Sequence, residues 1–418
     1  MKRVGINFFV AILFSCYFSH STVFAVGTYN GGDGSGGNPF QIATPQQLYE
    51  LTQHAEDWGE ETYFVLTNNL DMTAYAGMLT DTIGNYDVPF SGNFNGEGYL
   101  ISNFTWASDA VNYIGLFGYI AHEGEVYDIR MEYLSINDES AVNVGGIAGG
   151  NEGYIHDCKV SGTIIGDVSV GGIVGMNYYE GTVTDCLATG EVACQDYAVG
   201  GIVGSNAGII ARCAGQAEVT GGDWAGGFIG YSTAWSIIFD CYAVGTVSGL
   251  ESVGGFAGIN FATYVVDYSD GEIYNCYAAG LVSGNVNVGA FFGDHYYGDD
   301  DIDACFWDSD VNSMLNGVGS PTTPDPVGLT GLGTAGMQQR STYESEGWDF
   351  TTPVWIITDE LEYPMLMKFV STEFSDLLML AAYWLDDGCG YCGGVDFDES
   401  GVVDIADFAR LSRTYLDP

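Results

Sequence analysis

The sequence predicts a mainly β protein: a parallel right-handed β-solenoid built from repeats of about 28 residues, with a small α-helical domain at its C-terminus. Three observations predict it. One phrase recurs as Val144 to Gly149, Val170 to Gly175, Val199 to Gly204, Ala225 to Gly230, Val253 to Gly258 and, weakened, Val288 to Gly293, with Ile114 to Gly118 as an earlier cousin. A second phrase rides with it: Asp157-Cys158, Asp185-Cys186, Arg212-Cys213, Asp240-Cys241, Asn275-Cys276 and Ala304-Cys305, with Asp128-Ile129 in that place in the first unit. Finally, each unit holds short β-branched runs such as Gly181 to Cys186 and Gly190 to Val192 that alternate in polarity, and none has a helical period.

The unit is too short for a propeller blade, which needs ~40–50 residues and four strands. A coil of parallel strands fits, one unit per turn, with turns stacked at ~4.8 Å; seven such turns make a rod roughly 30–35 Å long. The Gly pairs read as corners where φ is positive or where backbones pass closely. The apolar residues after them are expected to point inward, like stacked on like. The recurrent Cys form an interior ladder. They read as small buried hydrophobes, or as disulfides between neighbouring turns if the compartment is oxidising. No His or second Cys recurs beside them to suggest a metal, and Cys194 stands outside the ladder.

Composition narrows the class. The chain has 418 residues, 9 Lys+Arg against 55 Asp+Glu and a net charge of −46. With 47% hydrophobic residues it can bury a large core, so it is no disordered acidic tail. The charge excludes nucleic acid and anionic lipid as partners, and repels an acidic polysaccharide unless cations bridge it. Met1-Lys2-Arg3, the apolar run Val4 to Phe18 and Val23-Phe24-Ala25 read as a signal peptide over 1–25, cleaved near Ala25. An uncleaved anchor and lipid attachment at Cys16 are the alternatives. No later segment has the ~20 apolar residues of a membrane helix. The mature chain is expected to be secreted or at the cell surface, monomeric and without a membrane span.

Residues 111–310 resemble the GLUG-motif repeats of bacterial exported and adhesin-like proteins, which are similar to the β-solenoids of filamentous haemagglutinins. The flanks fit. Asn38 to Ile42 precedes Thr44-Pro45-Gln46-Gln47-Leu48, a capping box with Pro at the first helical position. Residues 26–110 are expected to form the N-terminal cap and first turns, because open solenoid ends are unpaired sheet edges. Over 311–370, Gly317 to Gly333 reads as a loop or hinge. Cys305 to Asp308, Gly347 to Phe350 and Tyr363 to Leu366 read as closing turns.

Residues 371–418 hold the sharpest chemical motif. Asp396, Asp398, Ser400, the Val402 carbonyl, Asp404 and Asp407 have calcium-loop spacing, with Gly401 at the sixth position for the turn. Asp404 would act through water. The residues after it form an amphipathic helix with Phe408, Leu411, Tyr415 and Leu416 on one face. Thr372 to Leu385 echoes Val403 to Leu416 at an offset of 31 residues. A duplicated loop-helix closed by Asp resembles a dockerin, the calcium module that docks enzymes onto cohesins. The first copy has Met365, Met367 and Phe369 at ligand positions, so one calcium ion is expected. The resemblance implies a cohesin-like or cell-surface partner, with Ile405, Ala406, Ser412 and Arg413 at the contact positions. Cys389-Gly390-Tyr391-Cys392 reads as a local disulfide or thiol pair.

These features point to a secreted, non-catalytic solenoid that presents aromatic faces (Tyr178-Tyr179, Trp224, Trp235, Tyr296-Tyr297) to a surface or polysaccharide. The same rings can be turn-stacking residues. Two other readings stay open: a polysaccharide-degrading β-helix enzyme carried by its tail, and a structural surface protein with a calcium-stabilised C-terminus. A lyase needs a Lys or Arg base, and the array offers only Arg130, Lys159 and Arg212. Asp294-His295 and Asp299-Asp300-Asp301 could bind calcium or sugar in one enlarged loop.

Overall fold

The structure is a computed structural model and describes residues 27–106, 112–261, 271–296, 302–320, 324–351 and 354–370. The expected signal peptide, the calcium loop, Cys389 and Cys392, Tyr297 and Asp299 to Asp301 lie outside the described residues.

The chain coils into a parallel β-solenoid. Each of the seven repeat turns contributes four strands, and the turn that starts at Val142 serves as the pattern. Its first strand is Val142–Gly145, its second Ala148–Asn151, its third Tyr154–His156, and its fourth begins at Lys159. Each strand pairs in parallel with its counterparts above and below. The third strand repeats ten times, from Phe40–Ile42 through Ile209–Ala211 to Ile302–Asp303. Nine ~4.8 Å steps make a rod about 43 Å long, longer than the seven recognisable repeats suggest. The extra turns use the same registers with different residues: Phe40 pairs with Phe64, and Phe64 with Phe94.

Like does stack on like. The residue after the Gly pair is Ile147, Ile173, Ile202, Phe228, Phe256 and Phe291 in successive turns, and all are fully buried. Phe228, Phe256 and Phe291 lie face over face with centroids 4.7 Å apart. One aromatic ring per rung thus gains both burial and offset stacking.

The Gly pairs do not carry positive φ. Among the described residues eighteen non-glycine residues are left-handed, and fourteen of them fall in two columns. One precedes the Cys column: Asp128, Asp157, Asp185, Arg212, Asp240, Asn275 and Ala304, at φ 49° to 58°. The other lies in the first strand: Tyr113, Asn143, Ser169, Ala198, Trp224, Ser252 and Asn287, at 50° to 66°. Asp and Asn tolerate this region through their short polar side chains, which accounts for their frequency here. The glycines serve close approach. A Cβ at Gly175 would come within 2.4–2.7 Å of backbone atoms of Asn143, Val144 and Gly149. Gly204, Gly230, Gly258 and Gly293 meet Ser169, Ala198, Trp224 and Ser252 in the same way. The second strand of one turn therefore lies flush on the left-handed kink of the turn before it.

The two ends differ. At the N-terminus, Thr44 Oγ1 accepts from Gln47 N–H and Gln47 Oε1 accepts from Thr44 N–H, the expected capping box on helix Pro45–Leu51. At the C-terminus, the expected loop within 317–333 also adds two pairings to the solenoid. Val318 bridges Phe292, and strand Leu329–Leu332 pairs with Cys305–Asp308. The chain then reverses and runs back along the outside of the solenoid. Helices Thr334–Met337 and Arg340–Glu344 and the hairpin Trp355–Ile356 with Met365–Leu366 build a second core. Tyr242, Tyr277, Phe306, Tyr343, Trp348 and Trp355 fill it.

Candidate functional site

The Cys column is structural. Cys158, Cys186, Cys213, Cys241, Cys276 and Cys305 are fully buried and free, and Cys194 is a seventh free thiol. Each ladder thiol reaches the carbonyl two residues earlier; for Cys186 this is Thr184 O at 3.1 Å. Cys186 and Cys213 N–H also point at the sulfur one turn on, at 3.4 Å. Burial pushes the Cys186, Cys241 and Cys276 thiols well above their ordinary value, and Cys194 up to about 12. Buried neutral thiols of this kind are poor nucleophiles.

A second interior column escaped the sequence reading. Asn151, Asn177 and Asn206 are fully buried at the end of the second strand. Asn151 Nδ2 donates to Asn177 Oδ1 at 2.8 Å, and Asn177 Nδ2 to Asn206 Oδ1 at 2.8 Å. Asn206 passes on to Ser236 Oγ. Each amide also closes its own turn, as Asn151 does on Gly153. Asn260 and His295 continue the column, 3.1 Å apart. The signal was present as an Asn two residues after the last Gly of each repeated phrase in three consecutive units.

The described rings among those named from sequence lie on the outside in separate clusters. Tyr113 and Tyr119 of one turn meet Tyr178 two turns on, over Gly150, whose added Cβ would strike the Tyr119 ring at 2.7 Å. Tyr113 and Tyr178 share a 2.8 Å hydroxyl contact, and Tyr86 stacks on Tyr113 at 5.6 Å. Burial, with a hydrogen bond to Glu152, holds the Tyr119 phenol above its ordinary value. Four rungs further along, about 19 Å away, the same two columns hold Trp224 and Tyr231, with Tyr197 packed on Trp224 at 4.8 Å. Tyr179 meets Trp235 edge-on at 6.2 Å. Tyr296 packs on Phe261. Stacking consumes Tyr119, yet Tyr86, Tyr179 and Trp235 remain 65%, 67% and 47% exposed.

A third feature concerns charge. Five Lys or Arg residues are described, and four of them, Arg130, Lys159, Arg212 and Lys368, crowd one corner of the solenoid. Lys159 pairs in register with Arg130 one turn below. Lys368 makes an ion pair with Asp157, and Arg212 binds Asp185 through two contacts at 2.6 and 2.9 Å. His156 lies between the rings of Tyr127 and Tyr154, with Asp157 2.7 Å from Nδ1 and Glu125 3.3 Å from Nε2. Burial works to raise the Asp157 carboxyl, but hydrogen bonds to Lys368 and His156 outweigh it and hold it below its ordinary range. Asp128 has no such donors; burial and the charges of Asp157 and Glu97 push it up. The sequence reading named Arg130, Lys159 and Arg212, but not Lys368, which arrives from the back-folded segment.

Among the described residues no group of three or more His, Cys, Asp or Glu side chains could hold a metal ion. Asp396, Asp398, Ser400, Val402, Asp404 and Asp407 lie outside the described residues. No described helix is long and apolar enough to cross a membrane.

Comparison with known proteins agrees with this architecture. Residues 140–165 and 225–248 match the GLUG motif family model. A protein of Evansella cellulosilytica, provisionally named a Gly-rich membrane protein, is 33% identical over 171 residues. Halomucin of Haloquadratum walsbyi is 28% identical over 208 residues. These matches cover 38% and 42% of this chain, but the chain spans only 19% and 2% of those two relatives. A crystal structure from Bacteroides ovatus, of a protein provisionally named an immunoglobulin A1 protease, superposes with a TM-score of 0.56 at 20% identity. It covers 81% of this chain and 95% of its own. That likeness establishes the fold alone. The class is therefore a parallel β-solenoid that carries GLUG motifs.

Proposed function

We propose that the chain is an exported, non-catalytic β-solenoid that binds a surface or glycan through its outer aromatic rings, and that its C-terminal segment is a calcium-dependent attachment module. The observation that carries the first part is the recurrence of rings on one pair of columns, with Tyr86, Tyr179 and Trp235 left exposed beside them. Exposed rings on a rigid ladder offer flat faces at fixed spacing and lose little entropy on contact. Export accords with the N-terminal segment, and with relatives named as a membrane protein and a halomucin. The attachment module rests on the calcium-loop spacing from Asp396 to Asp407.

Binding of the full mature chain to the producing cell's envelope and to a glycan array tests the first part. Tyr179→Ala with Trp235→Ala is expected to weaken binding about threefold to tenfold per ring while leaving the melting curve in place. Undiminished binding in the double variant would end the aromatic-face reading. For the tail, pull-down in calcium and in EDTA, with Asp407→Ala as control, is expected to recover a partner in calcium alone.

A further inference from the structure

Two of the four clustered cations, Arg130 and Lys159, line an open groove of about 390 Å³, at the small end of the range for ligand sites. Glu132 is its one lining carboxylate, Ser161 and Thr189 supply its hydroxyls, and Leu187 and Phe369 its apolar walls. Two structural decisions make it. The register between the fourth strands slips between Val160 and Gly162, which leaves a bulge in the strand Arg130–Asn137, with Tyr133 in the left-handed region and 71% exposed. Bulges break the flat ladder and re-aim side chains. The back-folded segment then adds Phe369, whose ring lies 5.8 Å from the Lys159 ammonium.

The charge there is unusual for this molecule. In a chain of net charge −46, Lys159 makes no ion pair within 4 Å among the described residues. Arg130 is held by Glu132, which accepts from both Nε and Nη2, and its Nη1 is left for a ligand. Burial, then the charges of Arg130 and Lys368, lowers the Lys159 pKa, so an anion in the groove would relieve a repulsion the fold maintains. In this groove a carboxylate would meet two cations together with hydroxyls and a ring.

We propose that this groove binds a carboxylated saccharide unit, its carboxylate between Arg130 and Lys159 and its ring against Phe369. Guanidinium and ammonium donors match a carboxylate, and hydroxyls beside an aromatic wall match a polyhydroxylated ring. The site is separate from the Tyr179–Trp235 face and does not rest on it.

The test is isothermal titration of the full mature chain with a short oligogalacturonate, in EDTA so that calcium cannot bridge acid to acid. A neutral galactan oligomer serves as the control. Binding is expected for the acidic oligomer alone, falling about tenfold or more in Lys159→Ala and in Arg130→Ala, and partly kept in Lys159→Arg. Both side chains are exposed, and unchanged melting curves will show that the variants fold. Tyr179→Ala with Trp235→Ala should leave this binding unchanged, so failure here and failure of the aromatic face are distinguishable. No binding by the parent chain, or equal binding by Lys159→Ala, would overturn the proposal. So would a carbodiimide cross-link from Lys159 to a carboxylate within 371–418 in a chain that binds no oligogalacturonate, because the groove would then belong to the chain's own acidic tail.

Discussion

The solenoid body and the segment that folds back along it are held together in opposite ways. In the body each residue meets its own counterpart one turn away: Cys on Cys, Asn on Asn, Phe on Phe. In the back-folded segment no contact repeats. Trp348 Nε1 donates to Ala304 O, Trp355 Nε1 to Asp240 Oδ1, Tyr277 Oη to Pro364 O and Tyr363 Oη to Asp308 Oδ2. The body is quasi-one-dimensional, so damage to one rung passes to its neighbours. The segment is a single docked unit, so its damage should stay local. It also covers outer strands near the C-terminal end and delivers Lys368 and Phe369 to the groove. One region is built for length and the other makes a particular place along that length.

That contrast can be broken first in the core. Phe256→Ala removes the middle ring of the Phe228–Phe256–Phe291 stack and is expected to cost about 3–5 kcal/mol. Urea melts followed by circular dichroism should show loss of the whole β signal at lower denaturant; a purely local change would contradict the coupled-rung picture. Trp355→Ala empties a fully buried site of similar size, with a cost again of about 3–5 kcal/mol. Its readout should differ: limited proteolysis after residue 334 appears while the solenoid signal persists. If both variants lose all structure together, body and segment are one unit.

Smaller changes sharpen the comparison. Asn177→Ala removes a side chain that gives two hydrogen bonds and accepts a third, leaving Asn151 Nδ2 short of a partner, and should cost about 1–3 kcal/mol. Asn177→Asp should cost more, because it buries a charge. The Asp157–Lys368 pair is partly exposed, so Lys368→Ala should cost about 1 kcal/mol or less. Its pH window follows from sign. Asp157 lies below its ordinary 3.8, so its contribution is present above about pH 4 and is lost as pH falls through the lowered value. Burial opposes the Lys368 charge, but Asp157 raises its pKa above 10.5, so that contribution is present below about pH 10.5 and fades above it. Parent and variant melting temperatures should converge once the pH is below the lowered Asp157 value. A difference that persists there would remove the ion pair from the account.

Much of the body was legible because each rung repeats its instructions. The Val-Gly-Gly phrase marked the passage from first to second strand, and the Cys column marked the corner after the third. The sequence left positive φ and close approach open at the Gly pairs for a physical reason: glycine serves both uses, and the pattern does not separate them. Asp157 and its counterparts held the left-handed positions, disguised as ordinary acidic corners. The Asn column was legible in principle and was passed over, since Asn also reads as a turn residue. The first three rungs were legible only as a cap with uncounted first turns, because their phrases share registers with the repeats but not residues.

By itself the sequence determined the coil, its parallel stacking, its buried thiols and its aromatic outer rings. Those depend on contacts between residues one period apart, and periodicity is written along the chain. Only the tertiary structure decided that Gly317 to Gly333 adds two pairings to the solenoid, that residues 334–370 return along the flank, and that Lys368 meets Asp157. It also decided that Arg130, Lys159 and Phe369 share a groove. The returning segment joins residues more than 200 positions apart through unique contacts, and no repeat records which surface it will find.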